Sequence, residues 1–150
     1  MTLASFTYAL VVAFVSTLGF ALLFHLRPKL LVPACLGGML SWGLFLICSQ
    51  YLDGVFLPCL IASAFSALYA QALANRVHAP MAVLYILAVV PLIPGSGLFN
   101  AMSNVVSNNW EMVAHYGQLT AQYACAIAFG MAIVTATAYA WQIFRSRTGK

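Results

Sequence analysis

A chain of 150 residues has room for one domain, and 64% hydrophobic with only 5% charged residues excludes an ordinary soluble one, in which roughly 25% of residues are charged. Six basic and two acidic residues cannot cover a water-facing surface; the solvent that fits is lipid, where about 20 consecutive apolar residues cross a hydrocarbon layer roughly 30 Å thick. The net charge of +4 comes from residues at the ends of apolar runs, where they set membrane orientation, and nucleic acid is excluded as a partner.

Five apolar stretches follow one another in a single transmembrane domain, residues 1–150, with no soluble domain. The first, about 3–24, opens without a basic residue and is followed by His25-Leu26-Arg27-Pro28-Lys29. That is the wrong polarity for a cleaved signal, so it reads as a retained helix. The second, about 30–50, carries the small residues Ala34, Gly37, Gly38 and Ser41. The third, about 55–75, carries Ala62, Ser66, Ala70 and Ala74 at four-residue spacing. Near its end, Gln71 and Asn75 either bond across helices or meet solute on its path.

The fourth stretch, about 80–108, is broken, and residues 108–118 are expected to form a loop. In that loop Trp110 and Tyr116 suit the headgroup level, and Glu111 and His115 form a solvated surface pair. The fifth stretch, about 119–144, carries Ala124, Ala128, Ala132, Ala136 and Ala140 at strict four-residue spacing. Small residues let helix backbones approach closely in lipid. The three stripes therefore predict helix contact faces, inside the chain or against a partner.

The charges test the count. With five crossings, Arg27, Lys29, Arg76, Arg145, Arg147 and Lys150 all fall on one face, and Asp53 and Glu111 on the other. Four crossings would divide the basic residues. The positive-inside rule then places the N-terminus outside and the C-terminus inside. His25 and His78 fall in turns on the basic face.

The fourth stretch holds Val90-Pro91-Leu92-Ile93-Pro94-Gly95-Ser96-Gly97-Leu98-Phe99-Asn100. The two prolines each remove a backbone donor, and the glycines permit backbone angles other residues avoid. A break within a membrane must lie inside protein or line a watery cavity. Broken helices in transporters present the positive end of a half-helix to an anionic solute group. Pro94, Gly95, Ser96, Gly97 and Asn100 are therefore the candidate substrate-binding residues. Ser103 and Ser107 continue a polar stripe from Ser96 and Asn100, which adds Ser103 to a possible solute path with Gln71 and Asn75.

Other chemistries lack their parts. Serine catalysis needs a base and an orienting acid beside the nucleophile, and both acids fall in loops, so no catalytic residue is assigned. The cysteines Cys35, Cys48, Cys59 and Cys125 sit inside apolar runs without ligand spacing and read as small hydrophobes. No metal site, disulfide framework or cofactor is expected.

The basic turn Asn75-Arg76-Val77-His78-Ala79-Pro80, the Pro91-Leu92-Ile93-Pro94-Gly95 core, and Gly37-Gly38 before Trp42 together resemble the threonine/serine exporter (ThrE-like) family. The resemblance runs from about Phe20 to Asn104 and is closest to the small membrane subunit of the split, two-component form. It implies a secondary transporter in the bacterial cytoplasmic (inner) membrane, exporting small carboxylate-bearing solutes: threonine- and serine-type amino acids, or small dicarboxylates such as succinate. It also implies a partner, a larger membrane subunit with a cytosolic N-terminal domain that this chain lacks. An odd number of spans suits one half of an inverted pair, the arrangement that puts a solute site at the repeat interface. The alternative is a non-transporting assembly or regulatory subunit of a membrane complex.

Overall fold

The computed structural model describes residues 3–77 and 79–148, with side chains for 4–77 and 79–140. His78, Lys150 and the side chains of Arg145 and Arg147 lie outside the described residues. Among those residues the chain is all-helical: α1 (Leu3–Leu23), α2 (Pro28–Tyr51), α3 (Phe56–Val77), α4 (Met81–Val89), a 3-10 turn (Val90–Leu92), α5 (Gly95–Val106) and α6 (Trp110–Thr148). Apolar chain in lipid must satisfy every backbone group internally, which leaves helix as the economical answer. Four of these helices are long and apolar enough to cross a membrane, and α4 with α5 makes a fifth span when the bent pair counts as one.

Local chemistry sets the boundaries. Pro28 opens α2 at a position that needs no N–H, and an extended Pro80 precedes α4. At the end of α1, His25 takes a positive φ of 51°. The Leu26 amide then reaches back to the Ala21 carbonyl and the His25 amide to Leu22, both at 3.0 Å. Asn108, with φ 54°, closes α5 in the same way, through Asn109 N–H to Asn104 O and Asn108 N–H to Val105 O. Both ends have the paired bonds of a left-handed helix cap.

Packing follows the small residues in α2 and α3. Ala34, Gly37, Gly38 and Ser41 are all buried, as are Ala62, Ser66, Ala70 and Ala74, so both stripes are contact faces. A Cβ at Gly38 would collide with the Thr17 side chain of α1, and one at Gly37 would stand 2.7 Å from the Tyr69 ring. Ser41 Oγ and Ser66 Oγ hydrogen-bond across the α2–α3 seam at 2.7 Å. The Tyr69 hydroxyl donates to the Pro33 carbonyl at 2.7 Å.

In α6 the expected face is not the one used inside the chain. Ala124, Ala128, Ala132, Ala136 and Ala140 are all exposed, while Ala126, Gly130 and Val134 are buried. The used row has the same spacing but lies two residues on, about 200° around the helix. The reason is Gly130: a Cβ there would stand 2.8 Å from Ser63 Cβ and 2.9 Å from the Ala64 nitrogen. Its absence lets α3 come close enough for Ser63 Oγ to donate to the Ile127 carbonyl at 2.9 Å. Tyr85 of α4 donates to the same carbonyl at 3.1 Å.

The expected loop at 108–118 is also corrected, because α6 begins at Trp110. Asn109 acts as its N-cap, with Oδ1 accepting from the Met112 amide at 3.4 Å. The helix has 39 residues, which at 1.5 Å per residue is about 58 Å, far more than one hydrocarbon thickness.

Two contacts fix the direction of α6. Cys59 Sγ lies 3.9 Å from the Tyr123 carbonyl, and Ser63, four residues on, bonds Ile127, also four residues on. α3 and α6 therefore run parallel. Since α3 ends where α4 begins, α4 and α5 together must carry the chain back to the end at which α3 starts. The bent pair behaves as one crossing.

Candidate functional site at the break in the fourth span

The break is short and sharp. After the 3-10 turn, Ile93 is extended with ψ 123°, Pro94 takes φ −78° and ψ 62°, and α5 leaves at 60° to α4. Pro91 and Pro94 cannot donate the backbone bonds that would continue α4. The second half-helix starts at Gly95. Gly54 is the described glycine with positive φ, so the break does not use the left-handed freedom of Gly95 or Gly97.

Of the four amides at the start of α5, two are engaged locally. Gly95 N–H bonds the Ile93 carbonyl at 2.8 Å and Leu98 N–H bonds Pro94 at 3.1 Å. Those of Ser96 and Gly97 have no backbone acceptor among the described residues, and they carry the partial positive charge of the helix end.

A cavity of about 260 Å³ lies against these groups. The break supplies Pro91, Leu92, Ile93 and Pro94, and α5 supplies Ser96, Gly97 and Asn100. Tyr116, Leu119, Thr120 and Tyr123 come from α6; Trp42 of α2 and Val55 of the α2–α3 turn complete the wall. The space exists because Gly97 has no side chain: a Cβ there would stand 2.9 Å from Thr120 Oγ1. Thr120 donates to the Tyr116 carbonyl at 2.8 Å, which leaves its oxygen as an acceptor towards the cavity. Trp42 stacks on Phe45 at 5.3 Å between ring centroids, and Phe45 meets Tyr123 at 5.9 Å, so one aromatic chain braces two sides.

The sequence-derived residues divide accordingly. Pro94, Ser96, Gly97 and Asn100 line the cavity, and Gly95 lies beside them without lining it. Ser103 is exposed and does not line it, and Ser107 donates back to the Ser103 carbonyl at 3.1 Å. Gln71 is half-buried and Asn75 exposed near the far end of α3, and neither reaches the cavity. The sequence reading assigns the cavity no residue of α6: Tyr116 falls in the expected loop at 108–118, and Thr120 and Tyr123, inside the fifth stretch, reach the cavity only through the packing of α6 on α5. Their i, i+4, i+7 spacing was the available signal. Glu111 and His115 are exposed, and the His115 ring meets Tyr116 edge-on at 5.5 Å.

The lining chemistry is neutral and polar on one side, aromatic and apolar on the other. Free amides and hydroxyls suit a small solute bearing an anionic group. No group of three or more His, Cys, Asp or Glu that could hold a metal occurs among the described residues, and Cys35 and Cys59 are buried free thiols in the helix core.

A family model described as Threonine/Serine exporter, ThrE, matches residues 9–137. That match extends well beyond the stretch from Phe20 to Asn104 that carries the sequence resemblance. No curated protein and no solved structure shows a significant match to the chain. With multiple apolar helices, a broken span and a match over most of its length, this multi-pass membrane protein belongs to the threonine/serine exporter family.

Proposed function

We propose that the chain is the small membrane subunit of a two-component secondary transporter, exporting a small carboxylate-bearing solute from the bacterial cytoplasm. The observation that carries this reading is the cavity at the break, where Ser96, Gly97 and Asn100 of α5 face Thr120 of α6. A solute carboxylate would accept from the Ser96 and Gly97 amides and the Asn100 side chain, at the positive end of α5. The Thr120 oxygen, already a donor to Tyr116, is left to accept from an ammonium. Threonine and serine fit that pairing; a small dicarboxylate such as succinate would use the donors alone.

The parallel course of α3 and α6 supports an odd number of crossings and hence termini on opposite faces. The basic ends then lie in the cytoplasm, with the N-terminus outside. A unit of this kind pairs with an inverted one, and a larger subunit with a cytosolic N-terminal domain supplies it. No Asp, Glu, Lys or Arg lies within a span away from its ends, so the acid of a proton-coupled cycle would belong to that partner.

Solute efflux from vesicles containing this chain, the larger subunit, or both tests the reading. Export only from the pair is expected. Export by this chain alone refutes the two-component form. Complexes that assemble and export normally with Gly97→Leu point instead to an assembly or regulatory subunit.

A further inference from the structure

At the opposite end of the bundle a second cleft, about 230 Å³, lies between the α1–α2 turn and the start of α4. His25 and Arg27 form its polar rim, and Phe24, Leu30, Pro80, Val83 and Leu84 are among its apolar walls. Three helix termini meet here, those of α1, α2 and α4, so the cleft lies where chain leaves the hydrocarbon. The charged residues at this end, among the described side chains, are Arg27, Lys29 and Arg76, all basic; Asp53 and Glu111 are at the other end. Arg27 thus stands exposed beside the cleft with no acid at its end of the bundle. The rim is also held in shape. His25 sits in its positive-φ cap, and its Nδ1 donates to the Leu23 carbonyl at 3.1 Å.

We propose that this cleft binds the phosphate of an anionic phospholipid, with Arg27 on the phosphate and the first carbons of an acyl chain along Leu30, Val83 and Leu84. A basic rim over an apolar wall at headgroup depth matches a molecule that carries both a phosphate and a hydrocarbon chain. Basic pockets between membrane helices on the cytoplasmic side recognise such headgroups, and a bidentate guanidinium suits phosphate geometry. A free phosphate ion would have no use for the apolar wall. The site is separate from the cavity at the break and does not depend on the export reading.

Native mass spectrometry of the purified protein with added phosphatidylglycerol or phosphatidylcholine tests this. Retention of phosphatidylglycerol over phosphatidylcholine is expected, reduced about fivefold by Arg27→Gln and clearly less by Lys29→Gln, which removes the same charge outside the cleft. Val83→Trp, which fills the cleft and leaves the charge, should also reduce retention while helicity stays unchanged. Equal retention of the two lipids, equal effects of Arg27→Gln and Lys29→Gln, or retention unchanged by Val83→Trp would overturn the proposal. Displacement of bound phosphatidylglycerol by millimolar inorganic phosphate would assign the site to a free anion and overturn the lipid.

Discussion

Gly97 and Thr120 face each other so closely that a methyl group on Gly97 would stand 2.9 Å from Thr120 Oγ1. That contact sets the width of the cavity between α5 and α6. Gly95, two residues earlier, has nothing within 4 Å of the same hypothetical atom. The pair therefore gives an internal control. Gly97→Ala should lower export at least several-fold while the protein still reaches the membrane, and Gly95→Ala should leave export near normal. Initial rates of threonine or serine efflux, normalised to membrane-inserted protein, separate the two.

The α3–α6 seam should govern stability rather than transport. Gly130 admits the Ser63 side chain and the Ala64 backbone, so Gly130→Val must push the helices apart. Overpacking of this kind costs about 1–3 kcal/mol. Thermal unfolding in detergent should show that loss, whereas Ala132→Val on the exposed face should leave the midpoint unchanged.

The alanine row from Ala124 to Ala140 is exposed, and under the two-component reading it is a face where the backbone of a partner helix can approach closely. The double change Ala128→Leu with Ala132→Leu should keep the melting temperature of the isolated chain and reduce co-purification of the larger subunit. Unchanged co-purification would place the contact elsewhere.

Asp53 lies exposed in the α2–α3 turn and Glu111 in the exposed first turn of α6, so neither is positioned to relay protons through the membrane. Asp53→Asn combined with Glu111→Gln should leave the dependence of export on the pH gradient intact. Efflux from vesicles with an imposed gradient reads this directly, and loss of the dependence would locate the coupling acid in this chain.

Much of the architecture was legible because lipid restricts the menu: apolar runs of sufficient length become helices. The contact faces of α2 and α3 were legible for a related reason, since Gly37, Gly38, Ala62 and Ala70 are small where backbones meet. The face of α6 was not. Its alanine row and its buried row have the same period, and a single Gly130 opposite Ser63 decides between them, which is a tertiary fact. The early start of α6 was written in Asn109 as an N-cap, but the polar residues after it read as loop. At the site, Pro94, Ser96, Gly97 and Asn100 were legible from the break itself; Thr120, Tyr116 and Tyr123 were not, because they approach from another helix. The backbone freedom expected of Gly95 and Gly97 is not used; Gly97 instead leaves space beside Thr120, and Gly95 has open space around it.

The claim that solute occupies the cavity at the break is tested most directly by protection of a cysteine placed there. Ser96→Cys, in a background with the native cysteines replaced and the larger subunit present, should react with a membrane-impermeant thiol reagent. Threonine or serine should slow that reaction in proportion to occupancy, while a bulky neutral sugar should not. Labelling of Cys at position 96 that proceeds at the same rate with and without solute, in a complex that still exports, would contradict the account.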